Sequence, residues 1–521
     1  MTMYLGLGTD PLDLDGPTAP YEPIDLSTAP EHRALDQIAS RADLDADAPA
    51  VDDGVRRLTR AELLDEVAAL AAVITEQTAP GTPVGVRLPD CASAPVAWLA
   101  CLAAGRPAVL LDQADAASHT EHIAASCRLA AVISDRPVPG YDVIAPAGHR
   151  AAPWRPVPVD AGAPAFIVWT SGSTGRPKGI VQSQRSVLFR SGLLVNSGHL
   201  GAQDRYLSLN APTSMGALLN AVAAFLSGAC LHRVDIAAEG LIGVLDRIEG
   251  ASITAVIGVP ALYRALCRLD GAAGQMRSLR LVSSNGDALL TADLEALRAM
   301  LPASCHIQMI YGATETQAAM RFVPRDEVPS GAQVAAGKPI PGVQWANLDD
   351  GGRPVPAGDV GELWIRSRYT AIGEWEEGVC VPGRLAVDDG GFRRYAMGDL
   401  VRVRGDGALV VIGRKDRQLK IDGYRIEPVE VEAALRDEPG VLDAVAIPIG
   451  EGPAARLIAF VAVGDSPPEI VASTLRRALA ARLPAAMRPQ RIHVLERLPL
   501  LAANKIDTEA LRQIDTDRRV R

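Results

Sequence analysis

Between positions 170 and 179 the chain reads Thr-Ser-Gly-Ser-Thr-Gly-Arg-Pro-Lys-Gly. Chemistry is concentrated here. Gly172 and Gly175 let backbone N–H groups approach an anion closely, and successive N–H groups form a nest for phosphate oxygens. Thr170, Ser171, Ser173 and Thr174 add hydroxyl donors, and Lys178 adds a compact positive charge. The stretch is built to hold a polyphosphate. It is not a Walker A loop, which needs Gly-Lys-[Ser/Thr], because Lys178 lies between Pro177 and Gly179. In isolation the same composition also describes a solvated turn.

Four further clusters carry polar groups in suggestive order. Tyr311-Gly312-Ala-Thr314-Glu315 offers a ring for stacking, a hydroxyl for a phosphate oxygen and a carboxylate for Mg²⁺. Tyr395-Ala-Met-Gly-Asp399 places an acid after a glycine, where it can accept both hydroxyls of a ribose. A long charged segment runs from Gly413 through Arg414 and Asp416 to Gly423 and Glu427, and Lys505 sits in Ala503-Asn504-Lys505-Ile506-Asp507. Each of these, alone, is equally a surface turn or a solvated charge.

The elements that must position them are α/β. The phosphate-loop candidate leaves the apolar run 165–169, and Tyr311 ends the run 307–311. Other strand-like runs fall at 108–111, 130–134, 254–258 and 279–283, alternating with helical patterns. The stretch 34–74 has helical spacing, with Leu63, Val67, Leu70 and Ile74 three or four residues apart. This alternation predicts a large N-terminal domain of stacked, mostly parallel sheets. Beyond Gly342 the runs 343–348, 361–367 and 408–412 predict a β-rich subdomain. After Asp416 the pattern is helix 429–435, strands 444–449 and 457–463, helix 473–483, a small α+β domain. The expected division is 1–415 and 416–521.

The bulk numbers exclude several classes. At 521 residues the chain is too long for one core. Its net charge of −10, without a basic block, argues against nucleic acid or an anionic membrane as main partner. Seven cysteines show no CxxC pair, which speaks for reduced thiols and against zinc. With no cation before Arg33 and no membrane-length apolar run, a cytoplasmic protein is expected.

The five clusters in this order resemble the adenylate-forming superfamily, which includes acyl- and aryl-CoA synthetases, luciferases and the adenylation domains of nonribosomal peptide synthetases. The likeness runs from about residue 30 to 515 and is greatest to the peptide-synthetase type. It is carried by TSGSTGRPKG, YGATE, GELWI, YAMGDL, GRKDRQLKIDGYRIEPVEVE and the terminal lysine motif. The resemblance implies an acid–thiol ligase that uses ATP and Mg²⁺. It activates a carboxylic acid as an acyl-adenylate, releases pyrophosphate and passes the acyl group to a pantetheine thiol. By the same carry-over, Thr170 through Gly175 and Lys178 clamp the β- and γ-phosphates. Thr314 contacts the α-phosphate and Glu315 holds Mg²⁺. Tyr311 stacks on adenine, with Gly312 beside it, and Asn285-Gly286-Asp287 lines the adenine and acyl sites. Asp399 binds the ribose with Arg414 in support. Lys505 bridges the carboxylate, the α-phosphate and the ribose. Asp416 is the hinge, and the segment at Gly423 serves the thiolation state.

Departures from the family pattern bear on the substrate. Ala503 stands before Asn504-Lys505 in the terminal motif, Ala313 replaces a proline, and Met309 replaces an adenine-contacting asparagine. Amino-acid-activating relatives hold the α-ammonium with an Asp. Here the corresponding segment 210–220 contains no acid, and the anchor position falls on Met215, or on Thr213 or Asn210 with a short gap. An ammonium buried there lacks a counter-charge. The carried-over pocket is Met215, Gly216, Leu219, Gly258, Ser283, Asn285, Ile310, Ala318 and Ala319, roomy and mostly apolar. The expected substrate is a small acid without a free α-amine: aryl, hydroxy, keto or branched acyl. The alternative is an amino acid whose amine is read in another way. The expected partner is a separate carrier protein loaded by a stand-alone enzyme, with coenzyme A as the rival acceptor. A silent relative that only binds adenylate is disfavoured by the presence of Lys178, Glu315 and Lys505.

Overall fold

The computed structural model describes residues 16–27, 33–113, 117–170, 178–329, 333–388, 390–415, 419–421, 424–426, 428–449, 456–464, 472–483, 487–500 and 506–520. The chain forms two compact units. One comprises Met1–Val328, Ala336–Trp345 and Ile365–Tyr395; the other comprises Pro329–Ala335, Ala346–Trp364 and Ala396–Arg521.

The first unit is built on two large mixed sheets, so the α/β expectation holds. In one, the strands His306–Gly312, Leu281–Ser284, Ala255–Gly258, Arg205–Ser208, Cys230–His232 and Pro49–Asp52 lie side by side in that order, all parallel. Antiparallel strands close its two edges, Gln317–Phe322 and Lys338–Pro339 at one and Arg57–Thr59 at the other. In the second sheet, Pro164–Thr170, Ala108–Leu110, Val84–Arg87, Ala131–Ser134 and Val143–Ile144 are parallel. Lys178–Ser183, Gly373–Glu376 and Val379–Val381 continue it in antiparallel fashion. The inner parallel strands Ala131–Ser134, Ala255–Gly258 and Leu281–Ser284 are buried along their length, as strands covered on both faces must be. Helices Gln184–Gly198 and Met215–Ser227 pack on each other and are buried on almost every side, as interior helices are.

The stretch 34–74 is not one helix. It is two, Ala34–Leu44 and Arg60–Gln77, separated by the hairpin Pro49–Asp52/Arg57–Thr59. Local chemistry makes the break. Gly54 turns with φ 84°, the Asp53 carboxylate accepts from the N–H groups of Val55 and Arg56, and a Thr59/Glu62 capping box restarts the helix.

The second unit contains the antiparallel pairing of Asp399–Val403 with Leu409–Arg414, part of the expected β-rich texture. It also holds a three-stranded sheet of Asp443–Ile449, Arg456–Ala462 and Arg491–Leu495. Side chains alternate there. Ala444, Ala446, Ala459 and Val461 pack under helices Pro428–Arg436 and Ala472–Arg482 through Val431, Leu435, Leu475 and Leu479. Val445, Ile447, Ile458 and Phe460 face the other way, onto Leu498 and Leu511.

Candidate active site

Three turns leave the carboxyl ends of parallel neighbours in the larger sheet: Leu209–Asn210, Asn285–Asp287 and the segment from Tyr311 to Glu315. Open α/β sheets bind ligands at this end of their strands. The Asn285 N–H donates to Gly258 O at 3.0 Å, and the Leu209 N–H to Ile257 O at 2.8 Å, so these turns start in register. Gly286 adopts φ 82°, which turns the chain sharply and leaves Asp287 exposed.

The turn at 313–316 is held from below. Its ends pair with each other, Ala313 N–H to Thr316 O at 2.7 Å and Thr316 N–H to Ala313 O at 3.2 Å. Arg190 donates to Thr314 O at 3.0 Å and to Ala313 O at 3.1 Å, and Gln182 donates to Thr314 O at 2.8 Å. The Ala371 N–H donates to Glu315 O at 2.7 Å. With the carbonyls of Ala313, Thr314 and Glu315 committed, the turn still carries the Thr314 hydroxyl and the Glu315 carboxylate. Burial pushes the Arg190 guanidinium down to about 10, and the negative charge of Glu315 opposes that fall. Arg190 and Gln182 were not foreseen. The signal for Arg190 was a cation in the apolar helix Gln184–Gly198, which carries no acid.

Lys178 opens the strand after the phosphate-loop candidate, across from Thr170. Its ammonium meets the buried Glu374 carboxylate at 2.8 Å. Glu374 comes from the adjacent antiparallel strand and also accepts from the Arg384 N–H at 3.1 Å. Glu374 is a third residue that the sequence did not single out.

The carried-over pocket residues fall at the same sheet end. Met215, Leu219, Ile310, Ala318 and Ala319 are all buried. A side chain at Gly216 would press on Asn210, and one at Gly258 on Leu209. Ser283 is less available than its type suggests, since its hydroxyl donates to Gln308 Oε1 at 2.8 Å and Gln308 goes on to Ser197. The polar point that remains is an amide pair. Asn210 Nδ2 donates to Asn285 Oδ1 at 3.1 Å, and Asn210 Oδ1 accepts from Asn220 Nδ2 at 2.9 Å. Asn220 is anchored in turn by Ser208 and Tyr206. Asp112 brings a carboxylate to the segment, accepting from the Thr213 hydroxyl at 3.4 Å. Met309 is buried in its strand.

Asp399 and Arg414 belong to the second unit and lie directly opposite each other on paired strands, their charged groups 3.4 Å apart. Gly398, inside the strand, has φ 70°, and Arg414 also donates to Met397 O at 3.3 Å. Ser171, Gly172, Ser173, Thr174, Gly175, Asp416, Gly423 and Lys505 lie outside the described residues. Among the described residues no group of three or more His, Cys, Asp or Glu side chains could form a metal cage. A lone carboxylate such as Glu315 suits Mg²⁺, which takes one or two carboxylates together with substrate phosphates. No described helix is long and apolar enough to cross a membrane.

Residues 38–375 match the family model for AMP-binding enzymes, and residues 430–505 match that for the AMP-binding enzyme C-terminal domain. Among curated proteins, the nonribosomal peptide synthetase CymA of Salinispora arenicola is 33% identical over 89% of this chain and 6% of its own length. Phenyloxazoline synthase MbtB of Mycolicibacterium paratuberculosis is 32% identical over 98% of this chain and 45% of its own length. The chain thus spans less than half the length of these relatives. Among solved structures, the anthranilate CoA ligase AuaEII in complex with anthranoyl-AMP superimposes with a TM-score of 0.81. It is 23% identical, over 96% of this chain and 100% of that one.

Proposed function

The chain belongs to the AMP-binding enzyme family, within the adenylate-forming superfamily, and on that premise we propose that it activates a carboxylic acid lacking a free α-amine as its acyl-adenylate. The acyl group then passes to the phosphopantetheine thiol of a carrier protein. The observation that carries this reading is that the Asn285–Asp287 turn and the 313–315 turn follow neighbouring parallel strands at the same sheet end, and that Asn285 there pairs with Asn210 rather than with an acid.

The physical problem is that a carboxylate must attack the α-phosphorus of a polyanion. Charge neutralisation and in-line placement are therefore the tasks. Lys178 and the 170–175 loop hold the β- and γ-phosphates, and Thr314 donates to the α-phosphate. Glu315 holds Mg²⁺, which supplies further neutralisation when bound. Tyr311 and Gly312 take the adenine side, with Asn285, Gly286 and Asp287. Asp399, steadied by Arg414, accepts from the ribose hydroxyls. Lys505 supplies the cation between carboxylate and α-phosphate. Rotation about Asp416, at the junction of a 1–415 core and a 416–521 lid, exchanges Lys505 for the Gly423 segment and opens the thiolation state.

The substrate follows from charge. Asn210 and Asn285 present neutral amide dipoles, which suit a hydroxyl, a neutral amine or a carbonyl and leave an ammonium uncompensated. An aromatic acid of the anthranilate or hydroxybenzoate kind fits this chemistry, and AuaEII is a ligase of that kind. A second reading, an α-amino acid, is favoured by Asp112 at Thr213. Acid-dependent ATP–pyrophosphate exchange over aryl, hydroxy, keto, β-amino and α-amino acids tests both. Exchange greatest with an α-amino acid over its desamino analogue overturns the first. Transfer assays with a holo-carrier against coenzyme A decide the acceptor.

A further inference from the structure

We infer that Arg190, with Gln182 as its companion, is a positioning residue that fixes the 313–315 turn so that Thr314 and Glu315 meet the nucleotide in one geometry. This rests on the adenylation reading. Three successive carbonyls of the turn are engaged: Ala313 O by Arg190, Thr314 O by Arg190 and Gln182, Glu315 O by the Ala371 N–H. The planar guanidinium fork reaches two of them at once, which an ammonium on a flexible stem does not. The second clamp is tied to the first. Phe189, next to Arg190 on the same helix, stacks on Tyr369 with ring centroids 3.6 Å apart and planes within 5°. Gly342, at φ 73°, lets its backbone pass where any side chain would strike both rings. Tyr369 lies two residues before Ala371. One helical turn therefore governs both supports of the 313–315 turn.

The choice of a cation here is informative. Arg190 is buried, and its guanidinium donates to backbone carbonyls, Thr314 O and Ala313 O. Burying a charge costs free energy that only pairing or hydrogen bonds offset, and here the carbonyls of the turn supply the hydrogen bonds. Carbonyls alone are satisfied by a neutral donor, as Gln182 shows. A fixed positive charge behind the turn is what a glutamine there lacks.

The test compares Arg190→Lys, Arg190→Met and Gln182→Leu with the wild type. Three readouts are taken: pyrophosphate-exchange kcat and KM, MgATP affinity by calorimetry, and hydrogen exchange of the peptide spanning 312–317 without ligand. Arg190→Met is expected to lose about 100-fold in kcat, the scale of a small misplacement, with KM for the acid changed by less than about threefold. Arg190→Lys recovers part of the loss, Gln182→Leu loses less than Arg190→Met, and MgATP binds more weakly in both neutral variants. Wild-type kcat in Arg190→Met overturns the inference. So does an equal loss in Arg190→Lys accompanied by a parallel fall in melting temperature. If Arg190→Met does not fold, wild-type kcat in folded Gln182→Leu overturns it. A wild type that exchanges pyrophosphate with no acid refutes the adenylation reading instead. The clamp is then judged by hydrogen exchange alone, where unchanged protection of 312–317 in Arg190→Lys and Gln182→Leu sinks it.

Discussion

Replacing Asn210 by Asp should invert the charge preference of the acid pocket. Asn210 is only 8% exposed, and its two polar atoms have separate duties. Its Oδ1 accepts from Asn220 at 2.9 Å, which an aspartate preserves. Its Nδ2 donates to Asn285 Oδ1 at 3.1 Å, which an aspartate turns into two facing oxygens. Rotating the Asn285 amide relieves that clash and gives the new carboxylate a second amide donor. The variant then folds with a stability loss of about 1–3 kcal/mol, the scale of one disturbed buried polar contact. For the substrate, a fixed negative charge now stands near the reacting carboxylate. At a separation of ~6 Å and an effective dielectric of ~20 the repulsion is about 3 kcal/mol. That is roughly a 100-fold fall in kcat/KM for an aromatic acid. An ammonium at the same distance gains a comparable attraction, so an α-amino acid loses little or improves. The assay is pyrophosphate exchange with ortho-hydroxybenzoate against phenylalanine, on protein whose melting temperature is recorded. A selectivity ratio within threefold of wild type in a folded Asn210→Asp protein refutes the argument, because the amide pair then does not face the acid.

Other outcomes follow from the same geometry. Asp112→Asn should leave exchange with aromatic acids within about threefold, since its 3.4 Å bond from the Thr213 hydroxyl can be accepted by an amide oxygen as well, and a specific loss of α-amino-acid activation supports the second reading. Glu374→Gln removes the buried partner of Lys178 and should raise KM for ATP more than KM for the acid, measured in the same exchange assay. Lys505→Ala should abolish adenylation while sparing transfer from preformed acyl-adenylate; equal loss of both half-reactions removes the lysine from the first step. His232 is held down to about 4 by burial, against 6.5 when exposed. Below pH 6.5 the unfolded chain takes up a proton that the folded chain refuses, so stability is full above 6.5 and drains away as pH falls towards 4. The loss is about 3 kcal/mol, and urea titrations of His232→Asn between pH 7 and 4 should show a shallower decline by that amount.

Motifs were readable in the sequence because their residues do local chemistry: glycines that must turn, hydroxyls and acids that must face a ligand. Thus Tyr311 to Glu315 and Asn285 to Asp287 are found at strand ends, and Asp399 opposite Arg414. The strands were readable too, since a sheet covered on both faces leaves continuous apolar runs. The hairpin inside 34–74 was not, because Leu58 and Leu63 continue an apolar spacing that only Gly54 and the Thr59 cap interrupt. What stayed hidden is the support behind the motifs. Arg190 lies more than a hundred residues from the carbonyls it holds, and Glu374 nearly two hundred from Lys178. No local pattern marks such pairings. Each became a partner only when a helix or an antiparallel strand brought it home. The reverse happened to Ser283, whose hydroxyl looked free for a substrate until the neighbouring strand supplied Gln308. A motif therefore names the groups that touch the ligand, while the fold decides which of them are free to do so. The proposed acid pocket illustrates the difference. By composition the 210–220 segment only lacks a carboxylate. By structure it replaces one with an amide chain, Asn285–Asn210–Asn220–Ser208, whose hydrogen bonds fix the direction of each dipole. An absent charge makes no demand on a substrate; an oriented neutral pair does, and that orientation is what the Asn210→Asp exchange reverses.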